Sequence, residues 1–260
     1  MRVFDFDSAI VRTPGRSVVH GLRDDPRAVP DYDRVLAEHA AYVAALGAAG
    51  VAVEILPPLE AFPDSMFVED PALAFGAGAI LLRPGAPTRL GEADALRPTL
   101  AGRFPRLLAL GDGEFADGGD VLVTPDTVFI GLSARTTARG AAALVAHLET
   151  LGARGRIVAT PPGILHFKTA VSLLDDRTLL ATAPMAAAGP FAGFDIVTTA
   201  DGEDAAANAL RVNGTVFLGA HFPRTADRLA RRGYAVVPLP VTEIGKLDAG
   251  LSCMSLRWHS

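Results

Sequence analysis

Apolar and polar positions along this chain fall into short strand-like runs that double back on themselves, separated by stretches with helical spacing. Leu73–Leu82, Val121–Leu132, Val171–Ala181 and Ala209–Leu218 each carry a turn signal within an apolar run. The signals are Gly76-Ala77-Gly78, Pro125-Asp126, Asp175-Asp176 and Asn213-Gly214, and together they predict four hairpins. Ala138–Leu151 and Thr225–Arg232 read as helices, leading into the short strands Ile157–Ala159 and Ala235–Leu239. Upstream, Asp31 and Asp33 are N-cap candidates for a helix running through Leu36, Ala40, Val43 and Ala44 to Leu46. The unit is hairpin, helix, strand. It recurs after about 50 and then roughly 40 residues, a period typical of radial repeats.

Two strand candidates, Ala9–Val11 and Ser255–Trp258, have no hairpin mate. Pairing them closes a ring of five units and protects the sheet edges, which predicts a five-bladed α/β propeller with residues 1–260 as one domain. An open parallel sheet is the competing architecture. It needs a crossover after nearly every strand, whereas the strands here come as hairpins. No linker rich in Ser or Gly divides the chain.

Half of the 260 residues are hydrophobic and 20% are charged, enough apolar material for a large core. A net charge of −5, with no stripe of Lys and Arg, argues against nucleic acid as a partner. The most membrane-like stretch, Ala40 to Val53, contains Gly47 and Gly50 and stops at Glu54, short of a span. Met1-Arg2-Val3-Phe4-Asp5-Phe6-Asp7 lacks the cationic start and apolar run of a secretory signal. A single cysteine forms neither an internal disulfide nor a Cys-x-x-Cys zinc site, so a reducing, cytoplasmic setting is expected.

Candidate chemistry lies at the heads of the repeats. Cys253, in Gly250-Leu251-Ser252-Cys253-Met254-Ser255, precedes the ring-closing strand. His166, in Gly163-Ile164-Leu165-His166-Phe167-Lys168, precedes the third hairpin, and Asp117, in Asp117-Gly118-Gly119-Asp120, precedes the second. A thiol with a distant imidazole and carboxylate is the general form of an activated cysteine site. The plain alternatives are a small core hydrophobe, a satisfied core histidine and a tight turn. Leading into the first hairpin, Asp64, Glu69 and Asp70 surround Phe67, a combination suited to a planar cation that needs acceptors at its edge and an apolar face. Arg89 and Arg135 follow strand ends, where an arginine either grips a carboxylate or pairs with surface acids.

Taken in order, Phe62–Asp70, Arg83–Arg89, Asp117–Leu122, Gly131–Thr136, Leu165–Lys168 and Gly250–Cys253 resemble segments of the dimethylarginine dimethylaminohydrolases, a branch of the pentein or guanidino-group-modifying superfamily. The resemblance spans nearly the whole chain and implies a five-unit α/β propeller, in agreement with the repeat reading. It implies that Cys253 is the nucleophile, His166 the general acid and base, and Asp117 the carboxylate that orients it. Glu69 and Asp70 would hold the guanidinium, Arg89 and Arg135 the substrate α-carboxylate, and Asp64 with the carbonyls of Leu22 and Leu247 the α-amino group. Phe67 would line the pocket, and the loop carrying Leu22 would act as a lid.

The implied reaction is hydrolysis of Nω-methylated arginine to citrulline and a methylamine through a covalent thiouronium, with no metal or organic cofactor. Deiminases of the superfamily carry an acid two residues after the histidine. This chain has Lys168, which favours methylated arginine over arginine. Met254 after the cysteine, and Asp117 where some bacterial relatives have Glu, are departures from the pattern. A hydrolase or deiminase for arginine or citrulline shares the same residues, and a non-catalytic propeller or another small-molecule binding protein needs none of them. A homodimer stays open.

Overall fold

A computed structural model describes residues 3–260; Met1 and Arg2, at the head of the amino-terminal stretch considered above, lie outside the described residues. Strand β1 (Ser8–Arg12) is followed by helix α1 (Tyr32–Ala48) and β2 (Ala52–Leu56). Four hairpin–helix–strand units come next. They are β3 (Ala72–Phe75), β4 (Gly78–Leu81), α2 (Glu92–Arg103) and β5 (Leu107–Ala109); β6 (Val121–Val123), β7 (Val128–Leu132), α3 (Ala138–Thr150) and β8 (Gly155–Ala159); β9 (Val171–Leu173), β10 (Thr178–Ala181), α4 (Ala183–Ala188) and β11 (Asp195–Thr198); and β12 (Leu210–Val212), β13 (Thr215–Gly219), α5 (Pro223–Arg231) and β14 (Ala235–Leu239). Strand β15 (Leu256–Trp258) completes the order.

These strands form five three-stranded sheets, the blades of an α/β propeller. In each blade the middle strand pairs antiparallel with its hairpin mate and parallel with the strand that follows the helix. The parallel pair is why a helix is needed, since its strands can be joined only by a crossover. Blade one is built from both ends of the chain. β1 pairs antiparallel with β15, Ser8 facing Trp258 and Ile10 facing Leu256, and parallel with β2. The predicted ring closure is therefore present. Asn213 adds a second clasp: with φ of 50° in the β12–β13 turn, it accepts from Phe6 N–H at 2.8 Å and donates to the carbonyls of Phe6 and Ala49. The left-handed conformation is one that Asn tolerates better than most residues.

Local signals explain the helix starts. The Asp31 side chain accepts from Arg34 N–H at 2.9 Å, so Asp31 is the cap and Asp33 lies in the first turn. Thr137 and Thr182 cap α3 and α4 in the same way. Helix α2 does not show in the apolar pattern because Pro98 interrupts it and only Glu92, Ala93, Leu96 and Leu100 are buried, while α4 is a six-residue alanine-rich turn. Five apolar clusters fill the spaces around the blades and under the helices.

At the closure seam Trp258 is buried edge-on against Phe104, ring centroids 5.0 Å apart, in a cluster with Ile10, Leu81 and Leu100. Trp258→Ala is expected to lower the unfolding free energy by about 3–5 kcal/mol, with most of it restored in Trp258→Phe. Chemical denaturation reads both, and a loss below about 1 kcal/mol would mean the seam is held elsewhere.

Candidate active site at the blade-entry turns

Tight turns precede the inner strands β3, β6, β9, β12 and β15, so pseudo-symmetry gathers five turns at one end of the ring. Four are 3-10 turns, Gly118–Asp120, Phe167–Ala170, Asp204–Ala207 and Leu251–Met254. The turns and their flanks carry Glu69 and Asp70, Asp117 and Asp120, His166 and Lys168, Asn208, and finally Ser252 and Cys253. The two glycines of Asp117-Gly118-Gly119-Asp120 are required by proximity. A Cβ on Gly118 would lie 2.0 Å from the Glu69 carbonyl oxygen, and one on Gly119 would lie 2.8 Å from the His166 ring and 3.0 Å from Asp70 Oδ1.

His166 Nε2 is 3.0 Å from Asp117 Oδ2, and Asp117 Oδ1 accepts from Gly85 N–H at 2.6 Å. Nδ1 of the ring has no hydrogen-bond partner among the described residues. Asp120 organises the same region: it accepts from Phe167 N–H at 2.8 Å and from the hydroxyls of Ser133 and Thr136 at 2.6 Å each, and Thr136 in turn accepts from Asp117 N–H. Asp70, Asp117 and His166 bring one ligating atom each within 4.8 Å of one another. Burial opposes the imidazolium, but the Asp117 hydrogen bond and the charges of Asp70, Asp117 and Asp120 outweigh it, raising the pKa of His166 to about 9.

The predicted guanidinium holders are both buried and already ion-paired. Glu69 accepts from Lys168 Nζ at 2.5 Å on one oxygen and from Arg257 Nη2 at 2.9 Å on the other. Asp70 pairs with Arg89 Nη1 and accepts from Gly119 N–H at 2.9 Å. Each carboxylate offers about four acceptor sites, so capacity remains for a ligand. Burial works against ionised Asp70, yet Arg89 and His166 hold its pKa below the ordinary value; at Asp64 burial outweighs Arg89 and the pKa is raised.

Arg89 is placed differently from a free carboxylate clamp. Its Nε and Nη2 donate to the two oxygens of Glu92 at 2.9 and 2.7 Å, and Nη2 also reaches the carbonyls of Asp64 and Phe67. Of five guanidinium N–H groups, one on Nη1 is left without an acceptor. The Arg135 guanidinium has no hydrogen bond or ion pair among the described residues. The α-amino candidates do converge: Leu22 N–H donates to Asp64 Oδ1 at 3.0 Å, and a Cβ on Gly21 would touch both Asp64 Oδ1 and the Leu247 side chain at 3.0 Å. The loop that follows Leu22 is tied down where Asp24 N–H donates to Asp248 at 2.7 Å.

Cys253 is buried in the cluster that contains Phe67 and Leu251, with Asn208 Nδ2 at 3.6 Å from its sulfur. Burial pushes the thiol up; Lys168 pulls it down, while Glu69 and Asp70 push it further up. Asp70 thus acts on both the thiol and the imidazole. Behind this cluster, an axial channel of about 290 Å³ runs between the inner strands. Glu69, Lys168 and Ser252 line it, whereas Cys253, Asp70, Asp117 and His166 do not, so those three residues partition the channel from the thiol.

With this geometry, comparison with known proteins is decisive. Residues 55–204 match the family model described as arginine deiminase. N(G),N(G)-dimethylarginine dimethylaminohydrolase of Pseudomonas aeruginosa is 40% identical over 257 residues, covering 97% of this chain and 100% of that one. The chain belongs to the dimethylarginine dimethylaminohydrolase family. Two solved family structures superpose with a TM-score of 0.94 at 39% identity. One is the Pseudomonas aeruginosa protein as a Cys-to-Ser mutant complexed with citrulline, covering 98% of this chain and 100% of that one. The other is an adduct of a His-to-Gly variant with S-methyl-L-thiocitrulline, covering 97% and 99%.

Within this dimethylarginine dimethylaminohydrolase fold, sequence reasoning missed Glu92, Asp120, Asn208, Ser252 and Arg257. Asp120 and Asn208 had a usable signal, since both stand at the head of a hairpin as Asp117 and His166 do. Glu92 had a local one, lying three residues after Arg89, its partner, whereas Arg257 had none, because its pairing with Glu69 is set by packing between blades.

The His166 network has a pH signature. A folded pKa of about 9 against 6.5 in the unfolded chain means the pair stabilises fully below about 6.5, and that this contribution is lost as pH rises through about 9. Nuclear magnetic resonance titration of the imidazole is expected to show a midpoint near 9, falling by at least about one unit in Asp117→Asn. A wild-type midpoint near 6.5 would contradict the ion-pair assignment.

Proposed function

We propose that this chain hydrolyses Nω-methylated arginines to citrulline and methylamines, acting as one catalytic unit with Cys253 as nucleophile. The observation that carries this reading is the convergence, at one end of the propeller, of a buried thiol, an imidazole bonded to a carboxylate at 3.0 Å, and two acceptor-bearing carboxylates. Free of substrate, the thiol is kept protonated by burial and by Glu69 and Asp70. A bound guanidinium offsets those two negative charges, so the thiol loses its proton to solvent and the thiolate forms. Sulfur then attacks the guanidinium carbon. The His166 imidazolium, held through Nε2 by Asp117, gives the Nδ1 proton to the departing methylated amine, whose bond to carbon breaks. The thiouronium that remains is attacked by water as neutral His166 takes up a proton. Collapse breaks the carbon–sulfur bond: sulfur departs with its electron pair, the hydroxyl proton returns to it, and citrulline and the Cys253 thiol are released.

At the other end of the substrate, Asp64 and the carbonyls of Leu22 and Leu247 suit the α-amino group. Arg135 is the principal α-carboxylate partner, with the one spare Nη1–H of Arg89 in support. Phe67 supplies apolar surface. Lys168 supports the preference for methylation, because it takes one acceptor site on Glu69 and stands where the deiminases carry a further carboxylate, so fewer acceptors remain for guanidinium N–H groups. A dimethylated nitrogen carries no N–H to leave unpaired there. A cytoplasmic setting fits a free thiol, and no helix among the described residues is long and apolar enough to cross a membrane.

Cys253→Ser is expected to reduce turnover by at least about a thousandfold while calorimetry still detects substrate binding; near-normal turnover would remove Cys253 as nucleophile. With wild type, amine release from Nω,Nω-dimethylarginine and Nω-monomethylarginine is expected to exceed ammonia release from arginine or citrulline. Faster turnover of arginine would overturn the Lys168 reading.

A further inference from the structure

Asn208, at the entry to β12, is assigned no role by the motifs or by the resemblance. Its surroundings define which way its amide points. Lys168 Nζ is a donor only, so at 2.6 Å from Ser252 Oγ it donates, and the serine hydroxyl proton must go elsewhere. That proton goes to Asn208 Oδ1, 2.7 Å away, and Ser252 N–H donates to the same oxygen at 3.3 Å. An amide whose oxygen is fixed as the acceptor presents Nδ2 as the donor, and Nδ2 lies 3.6 Å from Cys253 Sγ. The ammonium therefore sets a directed chain from Lys168 through Ser252 and Asn208 to the sulfur. The amide is also clamped: a Cβ on Gly250 would lie 2.4 Å from Asn208 Cγ, so the turn that carries the cysteine packs against it through a glycine.

We propose that Asn208 is a further catalytic residue, whose Nδ2–H donates to the Cys253 sulfur and stabilises it as the anion. This rests on Cys253 being the nucleophile. The contact makes and breaks no covalent bond. A thiolate accepts a hydrogen bond more strongly than a thiol, so the donor favours ionisation before attack. It acts again when water attacks the thiouronium and sulfur departs with its electron pair. The positive end of the chain, Lys168, adds its field to the same effect.

Cys253 is the only cysteine, so alkylation by iodoacetamide reports on it alone. In Asn208→Ala the pH midpoint of alkylation is expected to rise by about one unit and kcat to fall about tenfold to a hundredfold, with KM changing less than about threefold. Asn208→Asp, nearly isosteric but unable to donate when ionised, is expected to move the midpoint further up. A midpoint unchanged from wild type in either folded variant overturns the proposal. Should both variants fail to fold, Ser252→Ala removes the hydroxyl that joins the Lys168 ammonium to the amide, leaving only the Ser252 N–H on Oδ1, and the same readout decides: an upward shift supports the chain, an unchanged midpoint overturns it. The alkylation profile is read without turnover, so it stands apart from the Cys253→Ser assay. An active Cys253→Ser chain overturns the nucleophile, whereas an unmoved alkylation midpoint overturns Asn208 alone.

Discussion

Glu69 is a buried carboxylate held between Lys168 and Arg257, two cations brought from other blades. Removing one member of a buried ion pair leaves an uncompensated charge at a cost of several kcal/mol, so the three positions constrain one another. Glu69 leads into β3, Lys168 precedes β9 and Arg257 lies within β15. The pairing therefore sets the distance between turns that the strands alone do not fix. It also divides the interior, since Lys168 and Ser252 face the axial channel on one side and reach the neighbourhood of the thiol on the other.

A second buried group, Asp70 with Arg89 and Glu92, works beside the first. The negative charge of Asp70 has opposite consequences for its two reactive neighbours. It favours the imidazolium of His166 and disfavours the thiolate of Cys253. In the mechanism proposed above, a protonated His166 and an unionised Cys253 are at rest until a cation changes the balance, and Glu69 and Asp70 are the carboxylates that cation would meet. Arg89 serves this arrangement by holding Asp70, with most of its own N–H groups used within the protein.

Much of the propeller was legible because each blade is specified locally. Asn213-Gly214 reads as a turn since Asn tolerates positive φ, and Asp31 announces α1 by capping it. The unpaired runs near the two ends found each other because no other edge was left for them. Helix α2 was hidden because Pro98 breaks the pattern that marks an amphipathic helix, and its buried Glu92 looks like a surface residue. The glycines after Asp117 were visible as a turn, but the reason for them was not: it is the backbone of Glu69 and the ring of His166 pressing from outside the segment.

By itself the sequence determined the four hairpins, helices α1, α3 and α5 and the pairing of the two end strands, and it put a thiol, an imidazole and carboxylates at the heads of separate repeats. Periodicity, caps and turn chemistry are properties of neighbouring residues, so they survive in one dimension. Tertiary structure alone decided which cation neutralises which carboxylate, that Arg89 is occupied while the Arg135 guanidinium has no partner among the described residues, and how Lys168 and Ser252 orient Asn208 toward the sulfur. Those choices follow from burial, which forces each charge and polar atom to find a partner among residues that only ring closure brings within reach.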